Sequence, residues 1–349
     1  MEKTKEEIKE EIEKEIKDSV DDFIGTIKKE PCCEYFSDKT EADWECEKVY
    51  KDALYQGYLD ACRTIHWSTK AREEGDELLK RKNTQKIFDK LSNITVLPFK
   101  IKTCNIKTEE NPMREPLTDV AKELCNYFDG DEKFDDKYSG WCKALIDSYK
   151  KYLVDEITYG QAQKIINMAF KYLYCICDRC RGGEKYKKKF DKCHMPLDSF
   201  SLEWFKRKFK EDDFSNAESY PENYKKLPEN LFTKGEKKKL KAESIGSWSS
   251  MQKTWEKSCI KEEYPYEFYA YVIKQYCKEN SITPLQLDFI VWSKMQKIMA
   301  AESFIKTFKD DDKENKEAIN SEEQEPYDIL NLKTTLENRL SEIRPLICK

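Results

Sequence analysis

Apolar residues recur along most of this chain at spacings of three and four, the period of a helix that buries one face. Over residues 5–24 the stripe is narrow. Ile8, Ile12, Ile16 and Val20 stand among Glu and Lys, and Pro31-Cys32-Cys33 ends the pattern. A helix of that kind suits packing on the body of the protein or on a partner. Residues 42–66 carry a denser stripe (Trp44, Val49, Tyr50, Leu54, Tyr58, Leu59, Cys62, Ile65), and residues 70–92 a more polar one. Ile94-Thr95-Val96-Leu97-Pro98-Phe99 is the best strand candidate. The helical period then returns at Thr118–Tyr127, Tyr138–Leu153, Gly160–Cys175, Ser199–Phe209, Trp248–Cys259, Pro265–Lys278 and Pro284–Phe304. A basic loop (Arg179–Lys192) and a surface excursion at 211–235, marked by Pro221, Pro228, Asn223 and Asn230, interrupt it. Residues 309–325 are charged and expected to be flexible, ahead of a last helix at Tyr327–Ile347. The chain therefore divides into an N-terminal amphipathic helix (1–30), a helical body (31–305) and a charged linker with a C-terminal helix (306–349). The predicted fold class is all-α, with at most a short β element.

Composition supports that class and excludes others. Hydrophobic residues make up 39% and charged residues 38%, against roughly 45–50% and about 25% in ordinary globular chains. Ten glycines are scattered, and no GxGxxG or GxxxxGK[ST] occurs, so dinucleotide and P-loop sites of the usual kind are excluded. Two histidines, His66 and His194, leave no HExxH. Net charge is −5, yet Gly160–Lys241 holds 20 Lys+Arg against 12 Asp+Glu, a local +8. A basic island in an acidic chain fits either contact with a polyanion or a solvated lysine-rich surface. The first residues, Met1-Glu2-Lys3-Thr4-Lys5-Glu6-Glu7, form no apolar leader, and no run of 18 apolar residues occurs. A cytoplasmic protein with reduced thiols and no membrane span is expected.

The most informative stretch runs from Ile157 to Tyr172. At 100° per residue Lys164, Asn167 and Lys171 fall on one side, and Ile165, Ile166, Ala169, Phe170 and Leu173 cover the others. Gly160 sits one turn ahead, where a chain turns sharply or admits another backbone. Burying lysines is costly unless they are paired or functional. Downstream, in Cys193-His194-Met195-Pro196-Leu197-Asp198-Ser199, Asp198 occupies an N-cap position before the helix that carries Leu202 and Trp204.

Taken together, Gly160-x3-Lys164, an apolar helix, and Met195-Pro196-Leu197-Asp198 ahead of another helix resemble the helix-hairpin-helix DNA glycosylases. The pattern is most similar to their archaeal 8-oxoguanine branch, which has a second lysine seven residues on, as Lys171 is here. Leu285-Gln286-Leu287-Asp288-Phe289-Ile290-Val291-Trp292 resembles a C-terminal helix of that branch. The similarity spans about 140 residues, Tyr138 to Met295, on short motifs. Ala162 stands where the hairpin's second glycine would be, and a long basic insertion separates the lysine from the aspartate. The resemblance implies a two-lobed helix-hairpin-helix domain acting on duplex DNA with a damaged base. In that reading Lys164 is the nucleophile and Asp198 its partner, while Gly160, Gln163, Asn167, Lys171, His194 and Trp204 contact the nucleic acid or the base. Such chemistry requires no cofactor. A lysine amine attacks the sugar C1′, expels the base and leaves a Schiff base that breaks the strand. The amine must be neutral, which apolar burial and repulsion from Lys171 would favour.

The cysteines suggest a separate possibility. Cys175, Cys177, Cys180 and Cys193, with His194 beside them, have ligand types that suit zinc; free thiols are the bland reading. Two other functions remain open at this point. One is a non-catalytic helical module whose basic segment binds nucleic acid, with or without zinc. The other is a bacterial helical protein of the mobile-element or defence kind.

Overall fold

The computed structural model describes residues 4–27, 47–61, 112–150, 157–177, 184–209, 246–253 and 265–314. All regular structure in them is helical, as the apolar period predicts, and no strand occurs among the described residues. The helix expected at 70–92, the strand at 94–99, the excursion at 211–235, the C-terminal helix and Cys180 lie outside them. The elements are α1 (Lys5–Ile27), α2 (Glu47–Ala61), α3 (Thr118–Asp129), α4 (Phe134–Tyr149), α5 (Tyr159–Cys177), α6 (Glu184–Lys187), α7 (Ser199–Lys208), α8 (Tyr266–Glu279) and α9 (Pro284–Glu314). None of the described helices is long and apolar enough to cross a membrane.

The architecture is organised around α5. Every residue of this helix except Tyr174 is buried, the expected fate of a helix that is apolar on most of its circumference. Helix α2 crosses it at backbone distance because residue 57 is glycine; a Cβ there would run into the Ile165 carbonyl. On another side Phe170 meets the rings of Phe134 and Trp141 at 5.3 and 5.7 Å, which locks α4 onto α5. Offset and edge-to-face rings add to plain area burial.

Three sequence expectations are corrected. Residues 184–190, expected as a loop, form α6 and a 3-10 turn that buries Tyr186 and Phe190. Helix α9 runs past Phe304, its predicted end, to Glu314. Trp248 does not open a long helix: a 3-10 turn covers Trp248–Ser250, and residues 251–253 leave the helical path. Tertiary bonds take over that backbone. The Met251 carbonyl accepts from Gly160 N–H at 2.9 Å, and the Gln252 and Lys253 carbonyls accept from Tyr266 and Glu267 at 2.9 and 3.2 Å. The segment thereby supplies the acceptors that the first turns of α5 and α8 lack internally.

Helix α1 belongs to the folded body. Ile16, Val20, Phe23 and Ile24 are buried, whereas Ile8, at the start of the stripe, is 45% exposed. Phe23 packs on Phe289 and Trp292 of α9 at 5.5 and 5.1 Å. Glu15 pairs with Lys294, and Asp22 accepts from Ser293 and Lys297 of α9.

Candidate functional site

Lys164 and Asp198 meet. Their Nζ and Oδ2 atoms are 3.7 Å apart, and both side chains are mostly shielded from solvent. The lysine residue is 8% exposed, so the strip it shares with Asn167 and Lys171 is interior. Asp198 is also the N-cap of α7. Its Oδ1 accepts from the Phe200 and Ser201 N–H groups at 2.9 and 3.0 Å, while its own N–H donates to Ser201 Oγ at 2.7 Å. This reciprocal arrangement is a capping box. One carboxylate therefore has two functions, with Oδ1 closing the helix and Oδ2 facing the amine.

Trp248 covers the pair. Its ring centroid lies 4.3 Å from Lys164 Nζ, within cation–π range. The 3-10 turn that carries it is tied to α5 twice, through Gly160 N–H to Met251 O and through Thr158 Oγ1 to Ser249 O at 2.6 Å. Gly160 is required for this approach, since a Cβ there would collide with the Trp248 carbonyl. The glycine admits another protein backbone in the first turn of α5; it does not precede the helix.

Two turns further along α5, Lys171 is fully buried against Asp288 of α9, with Nζ and Oδ2 2.6 Å apart. Phe23, Phe289 and Trp292 present their faces to the ammonium at 4.2, 4.8 and 5.1 Å. Burial pushes the Asp288 carboxyl up to about 6; the Lys171 charge opposes this and the Asp198 charge adds to it. Lys171 thus has its own counter-ion. It is not the unbalanced positive neighbour of Lys164 that the sequence suggested.

The remaining candidates are brought close but turned inward. Gln163 and Asn167 are fully buried and bonded to the 195–197 segment. His194 places Nδ1 2.8 Å from Tyr266 Oη and Nε2 3.9 Å from Asp135. Burial pushes its imidazole pKa down. Asp135 is held well below the usual carboxylate range, first by His194 and then by Lys274, which donates to it at 2.9 Å. Trp204 is buried against Phe209 and Tyr276.

Cys175, Cys177 and Cys193 are buried. Among the described residues no group of three or more His, Cys, Asp or Glu comes together to hold a metal. Burial pushes the Cys193 thiol up, and its Sγ lies 3.5 Å from the Lys189 carbonyl. Both ring nitrogens of His194 face protein partners. The fourth member of the zinc expectation, Cys180, is outside the described residues.

Sequence reasoning missed Tyr266, which joins three elements of the site. Its signal was weak: one tyrosine among 20, directly after the Pro265 that starts α8. Asp288 had been seen only as part of a motif. Comparison with family models, with curated proteins and with solved structures found no match to this chain.

Proposed function

We propose that the chain is a DNA base-excision glycosylase with abasic-site lyase activity, Lys164 being the nucleophile and Asp198 its partner. The observation that carries this reading is the meeting of Lys164 Nζ and Asp198 Oδ2 at 3.7 Å under the Trp248 ring. An amine, a carboxylate and an aromatic face are the groups needed to displace a base from a flipped nucleotide. Lys164 Nζ, after yielding a proton to Asp198 Oδ2, bonds to C1′ as the C1′–N bond to the base breaks. The base leaves with that electron pair and takes the proton from Asp198. Ring opening then gives the Schiff base through which the strand is cleaved. A location in the reducing cytoplasm belongs to the same reading, in keeping with the free thiols of Cys142, Cys193 and Cys277.

Borohydride trapping on abasic and 8-oxoguanine duplexes tests the reading. A covalent adduct that Lys164→Gln abolishes is the expected result; absence of an adduct from the wild-type chain on any such duplex overturns it. The capping role of Asp198 favours a second reading, in which Lys164 merely bridges α5 to α7 and the basic segment binds nucleic acid without chemistry. Salt-sensitive DNA binding that survives Lys164→Gln, without an adduct, is the result that reading requires.

A further inference from the structure

We propose that Gln163 and Asn167 are positioning residues: they clamp the Met195–Leu197 backbone so that Asp198, the next residue, is held against Lys164. This inference rests on the proposed lysine chemistry for its catalytic consequence, but the clamp is defined by its own geometry. Gln163 is the residue directly before Lys164 and is fully buried. Its Nε2 donates to the Gly160 carbonyl at 2.9 Å and to the Leu197 carbonyl at 3.0 Å. Its Oε1 accepts from Leu197 N–H at 3.3 Å. One amide therefore grips both backbone groups of the residue preceding Asp198. The pair Gln163–Lys164 on α5 faces the pair Leu197–Asp198, and fixing the first contact fixes the second.

Asn167 extends the grip by one turn. Its Nδ2 donates to Gln163 Oε1 at 3.0 Å and to Tyr266 Oη at 3.1 Å, and it lies 3.4 Å from the Met195 carbonyl. The directions of the remaining bonds follow. His194 turns Nε2 to the Asp135 carboxylate, so a neutral ring carries its proton there and leaves Nδ1 as an acceptor. Tyr266 must then donate to His194, and its two lone pairs accept from Asn167 and from Tyr138 Oη at 2.8 Å. Each donor from Gln163 to Tyr266 then has an acceptor, while the buried Asn167 Oδ1 has no partner among the described residues. A network directed in this way restricts the arrangement of its members. It also occupies the amide groups of Gln163 that a base contact would need.

The test is Gln163→Met, a change of little volume that removes the four bonds made by the Gln163 amide, read by two measurements. The first is amide hydrogen exchange at residues 195–198, which needs no substrate. Protection of Leu197 N–H is expected to be lost while that of the α5 interior is retained. The second is single-turnover borohydride trapping on an abasic duplex. The rate is expected to fall about 100-fold with duplex affinity unchanged, as when reacting groups are displaced by about 1 Å. Should Gln163→Met not be recovered folded, Gln163→Leu is read by the same two measurements. Unchanged exchange at 195–198 overturns the clamp, and lost protection with an unchanged trapping rate overturns its positioning role. If the wild-type chain gives no adduct, the lysine chemistry fails separately. The clamp is then judged by exchange together with the labelling rate of Lys164 by an amine reagent, which is expected to rise in Gln163→Met as it does in Asp198→Asn. A labelling rate equal to wild type overturns it.

Discussion

Replacing one member of the Lys171–Asp288 pair is expected to be among the most damaging single changes in the protein. Replacing both is expected to be mild. In Asp288→Leu, a fully buried ammonium keeps only the faces of Phe23, Phe289 and Trp292 as partners. Removing one partner of a buried pair costs about 3–5 kcal/mol, and cation–π contacts of roughly 0.5–2 kcal/mol offset only part of an ammonium's desolvation. At a urea slope of about 2 kcal/mol per M, that cost moves the unfolding midpoint down by ~2 M. Lys171→Met combined with Asp288→Leu removes both charges from the same apolar space, and the double variant is expected within about 1 kcal/mol of wild type or above it. The pH dependence supplies an independent reading of the same pair. The folded carboxyl of Asp288 titrates at about 6 against an ordinary value of 3.8, so the folded state binds this proton more tightly than the unfolded chain. The stability it contributes is fully present below about pH 4 and is lost as pH rises through about 6. Urea titrations of the wild-type, single-variant and double-variant chains at pH 7, where Asp288 is ionised, measure the first effect, and wild-type titrations across pH 4–7 the second. Single variants within about 1 kcal/mol of wild type, or a double variant as weak as the two losses added, would refute the account of a charged, interdependent buried pair.

Three further predictions concern other parts of the fold. His194 has the opposite sign to Asp288: its folded pKa lies below 6.5, so stability drops as pH falls below about 6.5, and thermal unfolding of His194→Gln should show a flatter profile there. Gly57→Ala is expected to cost about 1–3 kcal/mol by pushing α2 off the Ile165 carbonyl, measured as a lowered thermal midpoint. Trp248→Ala should leave the fold intact while raising the labelling rate of Lys164 by an amine reagent, since the ring that covers its Nζ at 4.3 Å is gone; an unchanged rate would show that another group shields it.

How much of this was legible in the sequence depended on the range of the interaction concerned. The helix at Lys5–Ile27, the centrality of α5 and the cap at Asp198 are local patterns, and 3.6-residue periodicity or an aspartate ahead of an apolar run reveals each. The Lys164 and Asp198 partnership was legible only as a combination of two motifs. The path of residues 248–253 was not legible, because its carbonyls bond to amides of α5 and α8 and local propensity carries no record of that. The inward turn of Gln163 and Asn167 was likewise hidden. Amides on a helix face suit a ligand as well as a neighbouring backbone, and the choice was made by the Met195–Leu197 segment some 30 residues away.

The short stretch 248–253 also orders the events of folding. Helix α5 is the centre of the body, yet its first turn is completed by the Met251 carbonyl, and the aromatic cover of Lys164 comes from the same stretch. A nascent chain that has emerged only as far as Asp198 contains both charged partners of the candidate site but lacks its lid and the closure of its central helix. Helix α1, the first to emerge, finds the partners of Glu15 and Asp22 only when α9 arrives. Contacts of such long sequence separation form slowly and late. Fragments ending before residue 248 are therefore expected to hold helices but an incomplete candidate site, lacking the Trp248 cover and the Met251 acceptor.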